Sequence, residues 1–229
     1  MNWEPELQQV RQEYLRRLTV DTLDETALCD ILAHIAAHPG KMLRPRLLLS
    51  AAATLGDDVL DSRRTLLLAV CVEMLHNASL LHDDIIDRDY TRRGQPSVNA
   101  LWGNAKAVLA GDWLLAQIMR LLDEVDDRSA TRLVNDTVIA MVQAELLAQE
   151  NSGKLDQSTY MRIIDGKTAR LFATACALGN PLFEAFGLHY GRLFQMRDDI
   201  ADGDAPDFVQ QLIDREQQEI NNMKYILTI

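Results

Sequence analysis

The sequence predicts an all-α fold in a single domain, residues 1–229. Apolar residues recur at intervals of three and four through most of its length, with few alternating runs. Only 11 Gly and 6 Pro punctuate 229 residues, a scarcity that disfavours a β-sandwich and suits long helices. No fixed-period repeat or low-complexity tract is present, and no break is long enough to be an interdomain linker.

The periodicity places helices over 4–18, 24–37, 42–56, 62–89, 98–123, 127–151, 157–178, 182–202 and 206–226. Asp24 or Thr26 can cap the second, and Ser158 or Thr159 the seventh, because a short side-chain oxygen accepts from a first-turn N–H. Pro181 and Pro206 sit in first turns, where a missing N–H is harmless. Breaks fall at His38-Pro39-Gly40, Gly56-Asp57-Asp58, Arg92 to Pro96, Ser152-Gly153, Gly179-Asn180-Pro181 and Asp202 to Pro206.

A hydrophobic share of 48% and a charged share of 25% are ordinary for a globular chain and argue against disorder. The net charge of −11 repels phosphate backbones, so nucleic acid is not an expected partner. Small phosphates remain open to it through local basic clusters or bound metal ions. Cys29, Cys71 and Cys176 are far apart and odd in number, which fits buried thiols in a reducing compartment. No uninterrupted apolar run reaches transmembrane length, and the acidic start Met1-Asn2-Trp3-Glu4-Pro5-Glu6 is unlike a targeting signal. The expected location is the cytoplasm.

Two segments stand out. In His82-Asp83-Asp84-Ile85-Ile86-Asp87, Asp83 and Asp87 are four apart and share a helix face, with Asp84 beside them. Asp198-Asp199-Ile200-Ala201-Asp202 repeats the spacing far along the chain. Unit charges about 4 Å apart repel by roughly 4 kcal/mol at an effective dielectric of 20. A divalent cation reverses that sign, and oxygen ligands suit Mg²⁺, which bridges to substrate phosphates. Either cluster alone reads equally well as a solvated face paired with Arg88 or Arg197. Their recurrence favours a metal-lined cleft between helices. Asp57-Asp58 and Asp126-Asp127 lack the third Asp and read as caps or surface.

Basic groups are few and clustered. Lys41 and Arg44 open a helix, Arg92-Arg93-Gly94 follows the first acidic cluster, and Gly166-Lys167-Thr168 pairs an ammonium with a hydroxyl. The last triplet lacks the preceding glycine of a phosphate-binding loop and follows no strand. Each alone is ordinary surface charge. His76 lies two turns before Asp83 on its helix face, and Gln195 lies just before the second acidic segment, three residues ahead of Asp198.

These residues together resemble the all-trans polyprenyl diphosphate synthases. The likeness spans roughly residues 36–202. Its motifs, in order, are Gly40 to Pro45, Glu73-Met74-Leu75-His76, His82 to Asp87 followed by Arg92-Arg93-Gly94, Ala110 to Leu115, Gly166 to Ala169, and Phe194 to Asp199. The resemblance implies an isoprenoid-synthase-type helical bundle around a deep central cavity, usually a homodimer. It implies Mg²⁺-assisted condensation of an allylic diphosphate with isopentenyl diphosphate. By that likeness Asp83, Asp84, Asp87, Asp198 and Asp202 would hold Mg²⁺ on the allylic diphosphate, with Asp199 nearby. Arg92, Lys167 and Thr168 would hold the same diphosphate, with Gln195 close to it, while Lys41, Arg44, His76 and Arg93 would bind isopentenyl diphosphate. Mg²⁺ would neutralise the leaving group, and the released pyrophosphate would take the final proton, so no protein nucleophile is required.

Ala78 and Ser79 precede Asp83 by five and four residues, one turn deeper, with Leu75, Met74 and Cys71 beyond. Short-chain members tend to carry aromatics there; the small pair implies a product longer than farnesyl diphosphate. Two departures stand against the likeness. After Asp202 the family usually continues with a Lys-containing loop and several helices, whereas here Gly203 to Asp207 leads into one further helix. Ala144 to Gln149 follows a family Gly-Glu-x-x-Gln pattern only loosely. A rival reading is therefore a catalytically weak or inactive partner subunit of a heteromeric synthase. A third, an HD-type phosphohydrolase built on His76 and His82-Asp83, leaves the second acidic motif and Lys167-Thr168 unexplained.

Overall fold

A computed structural model describes residues 3–19, 27–38, 40–151, 155–203, 205–223 and 227. The chain is all-α, as the spacing of apolar residues predicts, with a two-residue-per-strand hairpin, β1 Thr91–Arg92 and β2 Gln95–Pro96, as the only β structure among the described residues. It divides into two compact units, each discontinuous in sequence. The chain passes between them at 46/47, 61/62 and 126/127.

One unit comprises residues 2–46 and 62–126. It holds α1 (Glu4–Leu18), α2 (Ala27–Ala37), the start of α3 (Leu43–Ala53), α5 (Arg63–Ile86), the hairpin, α6 (Val98–Trp102) and α7 (Asn104–Val125). Ser62 caps α5 by accepting from the Thr65 N–H at 3.1 Å. Helix α5 is apolar on nearly every face and packs most extensively against α7, with α1 on another side. By length and composition it could cross a bilayer, but 72% of its apolar window is buried within the protein, as befits a core helix. Gly111 of α7 leaves room for the His82 ring of α5: a Cβ there would lie 2.3 Å from His82 Nε2. At the far end, buried Glu13 gathers Arg16, Arg17 and Arg63, and Glu124 shares the last two.

The other unit comprises residues 47–61 and 127–229. It holds the remainder of α3, α4 (Asp57–Leu60), α8 (Arg128–Glu150), α9 (Gln157–Ile164), a π-turn (Asp165–Ala169), α10 (Arg170–Gly179), a 3₁₀ turn (Pro181–Phe183), α11 (Glu184–Asp202) and α12 (Val209–Asn221). Every residue of α10 from Leu171 to Gly179 is buried, so this helix is the unit's core. Each large apolar side chain in it, Leu171 and Phe172 among them, stabilises by about 2–3 kcal/mol. Gly179 lets α10 run against α3, where a Cβ would fall 2.3 Å from the Leu48 carbonyl oxygen.

Several boundaries differ from those the sequence predicts, each for a local reason. The helix expected over 62–89 stops at Ile86, because Arg88 turns left-handed (φ 58°) to enter the hairpin. The helix expected over 98–123 is split by Gly103 at φ 83°. Asp156, not Ser158 or Thr159, caps α9 by accepting from the Thr159 N–H. Pro206 precedes α12 in a turn, whereas Pro181 does open its 3₁₀ turn. Asp127 caps α8 as expected, while Asp24 and Thr26 lie outside the described residues. Cys71 and Cys176 are buried thiols and Cys29 is half-buried.

Candidate functional site

The candidate residues of the first unit collect around the C-terminal half of α5. Asp83 is half-buried in its last turn and Asp87 is its exposed C-terminal cap. Asp84 departs from the expected trio. One residue further round the helix, its carboxylate is buried and accepts from Arg92 Nε at 2.8 Å and again from Nη2. Burial raises the Asp84 carboxyl above the usual range, and Arg92 opposes that shift. Among the described residues no three His, Cys, Asp or Glu side chains are gathered closely enough to hold a metal ion by themselves. Asp83 and Asp87 nonetheless offer hard oxygen donors one turn apart, the chemistry that suits a largely hydrated Mg²⁺ completed by substrate oxygens.

One to three turns earlier lies a cationic cluster. Buried Arg44, at the start of α3, and Arg93, in the hairpin, both act on buried Glu73 and on His76. Burial first, then Arg44, Arg93 and Arg92, hold the His76 imidazole well below its ordinary pKa, so it is neutral at pH 7. Burial lowers Arg44 to about 10, which leaves it charged. Arg93 donates to the His38 carbonyl at 2.7 Å and lies over Gly40, where a Cβ would be 2.5 Å from its Nη2. Arg44, His76, Arg92 and Arg93 are thus brought into one electrostatic neighbourhood, while Lys41 is exposed. On the same helix Met74, Leu75 and Ala78 are buried. Half-buried Ser79 donates to the His76 carbonyl at 2.8 Å.

The second unit contains a cleft of about 630 Å³ bordered by Lys167, Thr168, Gln195 and Asp199. A hydrogen-bond relay runs along it. Thr168 Oγ1 donates to Gln195 Oε1 (2.6 Å), Gln195 Nε2 donates to Asp199 Oδ1 (2.7 Å), and Tyr160 Oη donates to Asp199 Oδ2 (2.6 Å). Burial and the neighbouring Asp199 raise the Tyr160 phenol far above pH 7, so it remains a donor. Lys167 and Thr168 sit in the π-turn, an insertion that widens one helical turn and re-aims its side chains. Lys167 Nζ contacts Glu145 Oε2 at 2.7 Å. Asp198 and Asp202 are exposed in the last turn of α11, which Gly203 closes at φ 83°.

Sequence reasoning missed Tyr160 and underrated Glu145. Tyr160 stands in no acidic or basic cluster, and only its place seven residues before Lys167, two turns along the same face, could have drawn attention to it. Glu145 was visible in the loosely matching Ala144 to Gln149 segment, where it also accepts from Gln149 at 2.9 Å.

The chain is 36% identical over 180 residues to an all-trans-nonaprenyl-diphosphate synthase (geranyl-diphosphate specific) of Rhodobacter capsulatus, covering 74% of this chain and 55% of that one. It is 37% identical over 188 residues to a geranylgeranyl diphosphate synthase of Methanosarcina mazei, covering 74% and 57%. A heptaprenyl diphosphate synthase component 2 of Bacillus subtilis is 33% identical over 191 residues, covering 78% and 54%. The chain therefore spans little more than half the length of these relatives. A polyprenyl synthase of Caulobacter crescentus, crystallised with calcium and isoprenyl diphosphate, superposes with a TM-score of 0.80 at 31% identity, covering 86% of this chain and 62% of that one. Residues 25–211 match the model of the polyprenyl synthetase family, and the chain belongs to that family.

Proposed function

We propose that the protein is a trans-prenyl diphosphate synthase that condenses an allylic diphosphate with isopentenyl diphosphate. The observation that carries this reading is the placement of both acidic motifs. Asp83 and Asp87 end α5, and Asp198 and Asp202 end α11. Carboxylates at a helix C-terminus face the negative end of its dipole, each unfavourable by about 0.3–1 kcal/mol. Two helices each carrying that penalty in the same spacing imply a compensating cation. Asp83, Asp87, Asp198 and Asp202 would hold Mg²⁺, with Asp84 acting through Arg92. Bound Mg²⁺ supplies charge neutralisation of a leaving diphosphate.

The chain's own groups do the rest. Arg44 and Arg93 supply fixed positive charge, and neutral His76 supplies a ring N–H, which together suit the diphosphate of the second substrate. Lys167 and Thr168 would turn from Glu145 and Gln195 to the allylic diphosphate. Buried Met74, Leu75 and Ala78 offer an apolar wall that keeps water from a developing allylic cation. The expected product is longer than farnesyl diphosphate, and the expected assembly is a homodimer.

Purified chain incubated with Mg²⁺, isopentenyl diphosphate and a series of allylic primers tests this by product mass. Asp83→Asn and Asp198→Asn should each lose most turnover while staying folded; near-wild-type rates in both would refute the ligand assignment. The likeness to a protein named as component 2 of a heptaprenyl synthase favours one second reading, a subunit active only with a different partner chain. Turnover by the chain alone separates the two.

A further inference from the structure

Helix α11 meets the π-turn at three successive levels. Gly191 lies directly on Ala169, where a Cβ would stand 2.6 Å from the Ala169 Cα. One residue on, Arg192 donates from Nε and Nη2 to the two oxygens of Asp165 at 2.6 and 2.8 Å. One turn on, Gln195 receives the Thr168 hydroxyl. The other edge of Arg192 faces Glu216 of α12, with Nη1 3.4 Å from Oε1, and Glu216 also bonds His189 Nδ1. The Arg192 and Glu216 side chains are only 18% and 5% exposed, so solvent screens this linkage weakly.

We propose that Arg192, loaded on one edge by Asp165 and on the other by Glu216, is the positioning residue that sets Lys167 and Thr168. A π-turn carries one residue more than the α-helical register and is less regular. If it relaxed to α geometry, flanking side chains would rotate by about 100°, one residue's step in a 3.6-residue turn. Lys167 and Thr168 would then leave the cleft. Asp165 is the first residue of the turn, so a two-pronged guanidinium fixed to α11 pins the register where it begins. The relay from Thr168 to Asp199 ties the turn only through single hydrogen bonds. The consequence for diphosphate binding rests on the proposed prenyl transfer; the consequence for the turn does not.

Arg192→Met, Asp165→Asn, their double variant and Arg192→Lys, all in the full chain, test it by two readouts. Amide hydrogen exchange of peptides covering 163–171 reads the turn. Steady-state kinetics with geranyl diphosphate and isopentenyl diphosphate reads the site. Arg192→Met and Asp165→Asn should each speed exchange in 165–171 about tenfold, leave α5 unchanged, and raise KM for geranyl diphosphate about tenfold with KM for isopentenyl diphosphate held. The double variant should be no worse than the poorer single one, because both remove the same contact. Arg192→Lys, with one prong, should fall between. Unchanged exchange, equal rises in both KM values, or additive losses would overturn the proposal. Faster exchange in variants of a wild type that transfers no prenyl group would uphold the brace and overturn the prenyl-transfer reading.

Discussion

Arg92 Nε donates to Asp84 Oδ1 at 2.8 Å, which ties the hairpin to the buried side of the acidic turn of α5. The same guanidinium reaches Asp89 at 3.2 Å. Asp84 is 3% exposed, so its charge is tolerated only with this partner.

Arg92→Met should therefore destabilise the protein by about 2–3 kcal/mol, less than a fully buried pair because Arg92 is itself partly exposed. The pH dependence has a definite sign. Burial raises the folded-state carboxyl of Asp84 above its unfolded value, and loss of Arg92 raises it further. A raised carboxyl costs stability once it must ionise; wild type and variant share the unfolded value, so the defect should deepen as pH rises through the raised folded-state value of wild-type Asp84 and ease toward acid. Urea denaturation of variant and wild type at pH 5 and pH 8 measures it; an equal loss at both would refute the desolvation argument.

The second acidic motif separates stability from chemistry in adjacent residues. Asp199 accepts from Tyr160 and Gln195, one on each oxygen, whereas Asp198 is exposed. Asp199→Ala orphans two donors at the cleft and should cost about 2 kcal/mol, while Asp198→Ala should stay within about 0.5 kcal/mol. The proposed metal role predicts the opposite order for turnover, with Asp198→Ala the worse. Melting curves and initial rates on the two variants decide both halves.

Helix α8 was legible because its apolar residues keep a helical period, and α5 because a long apolar run carries no glycine or proline to break it, though it ends three residues short of its expected span. What escaped the sequence was set by tertiary contacts. The π-turn at Asp165–Ala169 contains the weak helix formers Asp165, Gly166 and Thr168, but nothing in that composition specifies a π register; its close packing on α8 at Gly166 and on α11 at Gly191 and Arg192 does. Asp84 looks like a third ligand in the sequence, yet the side of α5 that it occupies is buried and met by Arg92. Arg44, His76 and Arg93 were legible as a group only through the family likeness, since they come from three separate elements.

Glu13 gives a pH-dependent test away from the site. Its hydrogen bond from Arg16, with Arg17 beside it, lowers the carboxyl from 4.5 to about 2. That difference corresponds to about 3 kcal/mol at roughly 1.4 kcal/mol per unit. Exposure of Arg16 and Arg63 reduces the expected worth to about 2 kcal/mol. A depressed carboxyl stabilises above its unfolded value and ceases to as pH falls through its folded one. Glu13→Gln should thus cost about 2 kcal/mol at pH 7, and the cost should shrink progressively from about pH 4.5 toward pH 2. Chemical denaturation at pH 7 and pH 3.5 reads the change; a constant difference would show that the pairing is not charge-dependent.

Ala78 offers a test in which stability and product length answer together. It is 1% exposed on α5, five residues before Asp83 and between buried Leu75 and Leu81. A Phe placed in a close-packed core displaces neighbours and costs about 1–3 kcal/mol. A Phe that instead projects into the space meant for a growing prenyl chain is accommodated with little loss, but it shortens the path available to the product. The proposed function predicts the second outcome: Ala78→Phe should keep its melting temperature within about 3 °C of wild type, a shift worth under about 1 kcal/mol. It should also yield a product with fewer isoprene units. Mass spectrometry of the products and a thermal scan on the same preparation measure both. A destabilised variant whose product length is unchanged would place Ala78 in the protein core and remove it from the floor of the prenyl path.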